Sequence, residues 1–151
     1  MAQNLNDLAM LARDRGDFER AETLAREALD MRRRILGGER PEVSAAIHNL
    51  GTVLYRKGDY EAAEAMFREA LDLDRSIRGD LHPDVATSLS SLGALLRQTD
   101  RSDEAEQSFD EALGIIRELY QDRHTGIADN LRNLAEIRRE QGRLREAEDY
   151  L

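Results

Sequence analysis

Gly58-Asp59-Tyr60-Glu61-Ala62-Ala63-Glu64-Ala65-Met66-Phe67-Arg68-Glu69-Ala70-Leu71 decides the fold, because near copies of it recur at one spacing. Gly16-Asp17-Phe18-Glu19-Arg20-Ala21-Glu22 leads on to Arg26-Glu27-Ala28-Leu29, and Asp103-Glu104-Ala105-Glu106 leads on to Asp110-Glu111-Ala112-Leu113. Ala21, Ala63, Ala105 and Ala147 stand 42 residues apart, as do Leu8, Leu50, Leu92 and Leu134. A fixed period of this length marks a solenoid, whose units bury their apolar faces against their neighbours. The 151 residues read as one repeat array, with units 1–41, 42–83, 84–125 and a truncated 126–151. The array opens where a first helix should start and stops at Leu151 inside a second one, so it reads as a piece of a longer chain.

In the second unit Ile47, Leu50, Gly51 and Leu54 share one stripe of a helix, and Tyr60, Ala63, Phe67, Ala70, Leu71 and Ile77 share a stripe of the next. Lys57-Gly58-Asp59 can only reverse the chain between them, with Gly58 as a left-handed stop and Asp59 as an N-cap. The second helix is expected over 60–78, ending at Gly79, before His82-Pro83-Asp84 opens the next unit with proline in its first turn. Gly37-Gly38 and Pro41 repeat this punctuation. The third unit departs from it: Asp100 takes the place of the turn glycine, Ser102 that of the aromatic, and Gly114 lies inside the second helix. It is expected to be the loosest unit. In the fourth, Thr125 replaces the proline and Arg138 replaces Leu54. The expected architecture is all-α, with seven helices and a short eighth beginning at Leu144.

Ile47-x2-Leu50-Gly51-x2-Leu54, followed by Ala63-x3-Phe67 and Ala70, resembles the tetratricopeptide repeat signature over the whole chain. The 42-residue period, the long second helix, His82-Pro83-Asp84-Val85 and Ser91-Leu92-Gly93 are similar to its kinesin light chain type. The resemblance implies a right-handed solenoid of antiparallel helix pairs and a scaffold for protein–protein interaction.

Composition removes several other functions. Without cysteine there is no disulfide, thiolate catalyst or sulfur-ligated metal, which fits a cytoplasmic protein. No apolar run is long enough for a signal peptide or a membrane span. The net charge of −9 disfavours nucleic acid and anionic membrane as partners. His82 and His124 sit at equivalent loop positions a whole hairpin apart, too far for one metal ion. Asp100, Asp103, Glu104 and Glu106 lack the spacing of a calcium loop and read as carboxylates stabilising a helix start. Arg32-Arg33-Arg34 reads as a solvated helix end. No phosphate loop and no nucleophile, base and acid set is present. No enzyme activity, cofactor or metal is expected.

Ala45, His48, Thr52 and Tyr55 form a second stripe on the first helix of unit two, left free to meet a ligand. In the family this position lines a concave groove that holds extended peptides. Carried across, the groove comprises Asn6 and Arg13; His48, Asn49, Thr52, Tyr55 and Arg56; Ser91 and Arg97; and Arg132, Asn133 and Arg139. Asn49 and Asn133 can each donate to and accept from a peptide backbone. Arg13, Arg97 and Arg139 share one repeat position, with Tyr55 in unit two. Such a ladder suits an acidic segment, unless the arginines cap their helices or pair with Asp14 and Glu140. The family's carboxylate clamp needs lysines where Asn6 and Thr87 stand. A peptide partner, acidic if the ladder is open, is the expected function; the alternative is a structural element self-associating through its terminal repeats.

Overall fold

The turn at Lys57-Gly58-Asp59 is built as its residues dictate. In the computed structural model, which describes residues 2–120, 125–143 and 147, Gly58 adopts φ 92° and ψ 6°. That left-handed step lets the Gly58 N–H donate to the Tyr55 carbonyl at 3.1 Å and the Asp59 N–H to the Leu54 carbonyl at 3.0 Å. The Asp59 carboxylate then accepts from the Ala62 N–H at 3.2 Å, capping the next helix. The same reversal recurs at Gly16, Asp100 and Gly142, with φ of 79°, 60° and 74°. Asp100 thus holds a conformation that glycine adopts without a Cβ penalty.

Seven helices result among the described residues, with no strand: α1 (Ala2–Asp14), α2 (Phe18–Leu36), α3 (Pro41–Lys57), α4 (Tyr60–Arg78), α5 (Pro83–Gln98), α6 (Ser102–Tyr120) and α7 (Thr125–Glu140). The starts of α2, α4 and α6 keep the 42-residue period. Pro41 and Pro83 occupy first-turn positions, where the N–H they lack would have no helical partner. His82 caps α5, its Nδ1 accepting from the Asp84 N–H at 3.1 Å. Of the expected eighth helix only Ala147, helical and buried, lies within the described residues. His124 falls outside them.

The helices fall into two compact units, Met1–Ile77 and Arg78–Leu151. In the first, α1 packs on α2, α2 on α3, and α1 also reaches α3. Ala21, Ala25 and Ala28 are buried along α2, a small-residue stripe that lets its neighbours approach closely. Between α3 and α4 the Phe67 ring lies over Gly51: a Cβ there would stand 2.8 Å from Phe67 Cε1, so any larger residue must displace the ring. Buried Ser44 donates to the Ala70 carbonyl at 3.2 Å. The expectation for Arg32 is corrected here. It is not solvated but 9% exposed, with Nη2 donating to Gln3 Oε1 at 2.9 Å and Nη1 to the Glu42 carbonyl at 3.1 Å. Its guanidinium joins α2 to α1 and to the start of α3, while neighbouring Arg33 pairs with Glu69.

The second unit repeats the plan, with α5 on α6, α6 on α7, and α5 reaching α7. Phe109 is wholly buried against Gly93, where a Cβ would meet the ring at 3.0 Å. Arg138, at the repeat position of Leu54, is buried too, and it pairs with Glu106. A charge in that position keeps company with a carboxylate, as burial requires. The acids at the start of α6 meet side chains: Glu104 pairs with Arg101 at 2.7 Å, and Asp103 accepts from Gln141 at 3.2 Å. No cluster of metal-ligating side chains occurs among the described residues. Gly114 is exposed, and a Cβ added to it would meet nothing within 4 Å.

Candidate peptide-binding surface

The first helices of the second and third repeats put their stripe of Leu, Gly and Leu (Leu50, Gly51 and Leu54; Leu92, Gly93 and Leu96) against the second helix. This fixes which residues turn toward the other side. In the first compact unit, Met1–Ile77, the expected stripe is half-buried at His48, Thr52 and Tyr55, with Ala45 and Arg56 exposed. The His48 ring lies 5.3 Å from that of Phe67, and Tyr55 lies 5.7 Å from Tyr60, so both aromatic side chains are braced by the second helix. Asn49 donates from Nδ2 to Oδ1 of buried Asn6 at 2.8 Å. This bond ties α3 to α1 and takes up one of the donors expected to serve a ligand. Thr52 turns its hydroxyl to the His48 carbonyl at 3.1 Å.

In unit two the corresponding faces of α5 and α7 border an open cleft of ≈ 390 Å³. Thr87, Ser90, Ser91 and Ala94 of α5 and Asp129 and Asn133 of α7 line it, as their repeat positions anticipate. Asn130, Ile116 and Tyr120 line it as well and were not anticipated. Ile116 and Tyr120 come from the second helix, which floors the cleft. Asn130 shares its repeat position with Asn4, Ala46 and Ser88, and among these the amide type alone does not single it out. Asn133 donates to the Asp129 carbonyl at 2.9 Å, within its own helix.

The arginine ladder is largely engaged inside the fold. Arg13 Nη2 lies 2.7 Å from Asp14, Arg132 Nη2 lies 2.6 Å from Asp129, and Arg97 pairs with Glu136, with Glu140 at 3.8 Å. Asp14 and Glu140 are the partners that the sequence offered as the alternative; Asp129 and Glu136 are added, and Arg97 reaches its two carboxylates from α5 across to α7. Arg56 and Arg139 are exposed, and among the described residues no carboxylate lies within ion-pair distance of either. Elsewhere, at the end of α3, the Lys57 ammonium contacts Glu19 at 2.8 Å and Glu22 at 2.9 Å. The hydrogen bond from Lys57 holds the Glu22 carboxyl below the usual carboxylate range, against a smaller opposing effect of burial.

No described helix is long and apolar enough to cross a membrane. Three solved structures superpose closely. BtubC (BKLC) from P. vanneervenii is 22% identical, with a TM-score of 0.89 over 99% of this chain and 60% of its own. A kinesin light chain-type protein of nearly identical TPR-like repeats from Podosopora anserina is 18% identical, with a TM-score of 0.87 over 98% and 70%. The apo form of RapI is 17% identical, with a TM-score of 0.86 over 99% and 52%. The chain thus spans less than two thirds of the first and third of these, and at such identities the likeness establishes the fold alone. No curated protein sequence matches. The tetratricopeptide repeat model matches residues 1–76, 42–117 and 84–151, and the chain belongs to the tetratricopeptide repeat family.

Proposed function

We propose that the chain is a protein–protein interaction scaffold that holds an extended peptide segment along the exposed faces of its first helices. The observation that carries this reading is the cleft between α5 and α7, lined by Thr87, Ser90, Ser91, Ala94, Asp129 and Asn133, all positions at which repeats of this kind turn away from their own core. A concave, mostly apolar surface with a few convergent polar groups is the usual form of a ligand site. Arg56 and Arg139, together with the polar groups of His48, Asn49, Thr52 and Tyr55, supply the places where carboxylates of an acidic segment would be held. Arg13, Arg97 and Arg132 contribute less, because a ligand carboxylate must displace one that is already paired. Cytoplasmic residence fits the absence of cysteine.

Selection of binders from a random dodecapeptide library, followed by calorimetry, tests this reading. Selected peptides are expected to lose affinity on Arg139→Glu or Arg56→Glu. Binders indifferent to every first-helix substitution would overturn it.

A second reading, self-association, is favoured by one observation. Leu8 and Leu11 of α1 are 47% and 53% exposed, whereas their repeat equivalents Leu50 and Val53, Leu92 and Leu95, and Leu134 and Ile137 are all 3% or less. Sedimentation velocity at several concentrations decides it: association abolished by Leu8→Glu with Leu11→Glu supports this reading, and a monomer throughout contradicts it.

A further inference from the structure

The cleft of unit two has a hydrogen-bonding sense that its residue types alone do not reveal. A hydroxyl carries one proton and two lone pairs, and a primary amide two protons and two lone pairs. Thr87 spends its proton on the Pro83 carbonyl at 3.0 Å. Ser90 shares its proton between the Ala86 carbonyl and Asn130 Oδ1, both at 2.9 Å. Asn130 donates to the Gly126 carbonyl at 2.9 Å and Asn133 to that of Asp129 at 2.9 Å. In each case a donor is turned back onto a helix carbonyl. What remains on Thr87, Ser90, Asn130 and Asn133 is chiefly lone pairs, joined by the Asp129 carboxylate, against one further N–H on each of the two asparagines.

Charge points the same way. Among the described residues Asp129 is the only ionisable one lining the cleft apart from Tyr120 at the floor. Its partner Arg132 does not line the cleft, and both side chains are 64% exposed, so the pair is screened and readily exchanged. Arg139 stands nearly two turns beyond Asn133 and does not line the cleft either. Over residues 78–151 the sequence holds sixteen carboxylates against ten arginines.

From this inventory we infer that the α5–α7 cleft selects a hydrogen-bond donor of positive charge, a lysine or arginine side chain on an extended segment, with its head at Asp129 and the lone pairs of Thr87 and Asn133. The inference rests on the groove reading and gives it a ligand chemistry: carboxylates belong at Arg56 and Arg139, and a cation belongs in the cleft. An acceptor-lined cleft also rejects a carboxylate actively, since a desolvated anion there would face lone pairs.

Three blocked octapeptides of alanine and serine, carrying two central lysines, two central glutamates or neither, make the test, read by the ¹⁵N–¹H amide shifts of Thr87, Ser91 and Asn133. The lysine peptide is expected to bind about fivefold or more tightly than the neutral one, the return of one charge-assisted hydrogen bond near solvent, and the glutamate peptide weakest. Asp129→Asn and Thr87→Val, both at exposed positions, should each bring the lysine-to-neutral ratio toward one. Equal binding of lysine and glutamate peptides, a ratio untouched by Asp129→Asn, or lysine-peptide shifts confined to the acidic face of α6 would overturn donor selection and leave the groove reading standing. Shifts absent from α5 and α7 with all three peptides would overturn both.

Discussion

The two compact units use the same 42-residue period to different ends. Unit one keeps the repeat rules: glycine at both left-handed turns, Gly16 and Gly58, an aromatic at the start of α2 and α4, and a largely apolar hairpin core around Phe67. Its first-helix face is drawn together by the Asn6–Asn49 bond and the buried Arg32. Unit two breaks the rules at Asp100, Ser102, Gly114 and Arg138, and its first helices α5 and α7 border an open cleft. The comparison teaches that departures from the repeat are tolerated where the hairpin core, Phe109 against Gly93, is kept.

The largest effects should therefore be common to both units. Phe67→Ala and Phe109→Ala each remove a ring that is 2% exposed or less and are expected to cost about 3 to 5 kcal/mol by chemical denaturation. A loss below about 1 kcal/mol for either would place that ring outside the core. Next come the glycines beneath them. Gly51→Ala and Gly93→Ala overpack their rings and should cost about 1 to 3 kcal/mol. Gly51→Ala should cost the more, because its Cβ would stand at 2.8 Å rather than 3.0 Å from the ring.

The comparison sharpens where the units differ. Asp100→Gly relieves a left-handed residue, and Gly114→Ala fills an open, exposed helix position. Each should stabilise by about 1 kcal/mol, and the pair should add, being distant and without shared partners. Gly58→Asp, the reverse exchange in unit one, should destabilise by a similar amount. Loss of stability on Asp100→Gly would show that the aspartate does more than turn the chain.

The smallest effect is electrostatic. The Glu22 carboxyl has a lowered pKa when folded, so its contribution is present above the unfolded carboxylate value and is lost as pH falls through the lowered one. Glu22→Gln should lower stability at neutral pH and leave it little changed once pH has fallen below the lowered carboxyl value, so that the acid limb is flatter. An unchanged acid limb would mean that the Lys57 contact is not formed in solution.

The helix boundaries were legible because period, turn glycine and first-turn proline all point to the same residues; α4 begins and ends where Tyr60, Arg78 and Gly79 say it should. The stripe facing the cleft was legible from helical spacing in the same way. Side-chain partners were harder. Arg97 finds Glu136, 39 residues on, because α7 lies beside α5, and Asn6 finds Asn49, 43 residues on, for the same reason in α1 and α3. Such pairs sit within three residues of the repeat length, yet many side chains do, and only geometry selects among them. Arg32 looked like part of a solvated basic run because a run of arginines has no visible face; its burial depends on a glutamine 29 residues earlier.

The central claim is that ligands meet the first helices and not the outer surface of the second. Paramagnetic broadening by a spin-labelled peptide drawn from the library selection tests it most directly. Amide signals of Thr87, Ser91 and Asn133 are expected to broaden, while those of exposed Gln107, Asp110 and Glu111 on α6 stay sharp. Broadening of the α6 set with the α5 and α7 set unaffected would contradict the account.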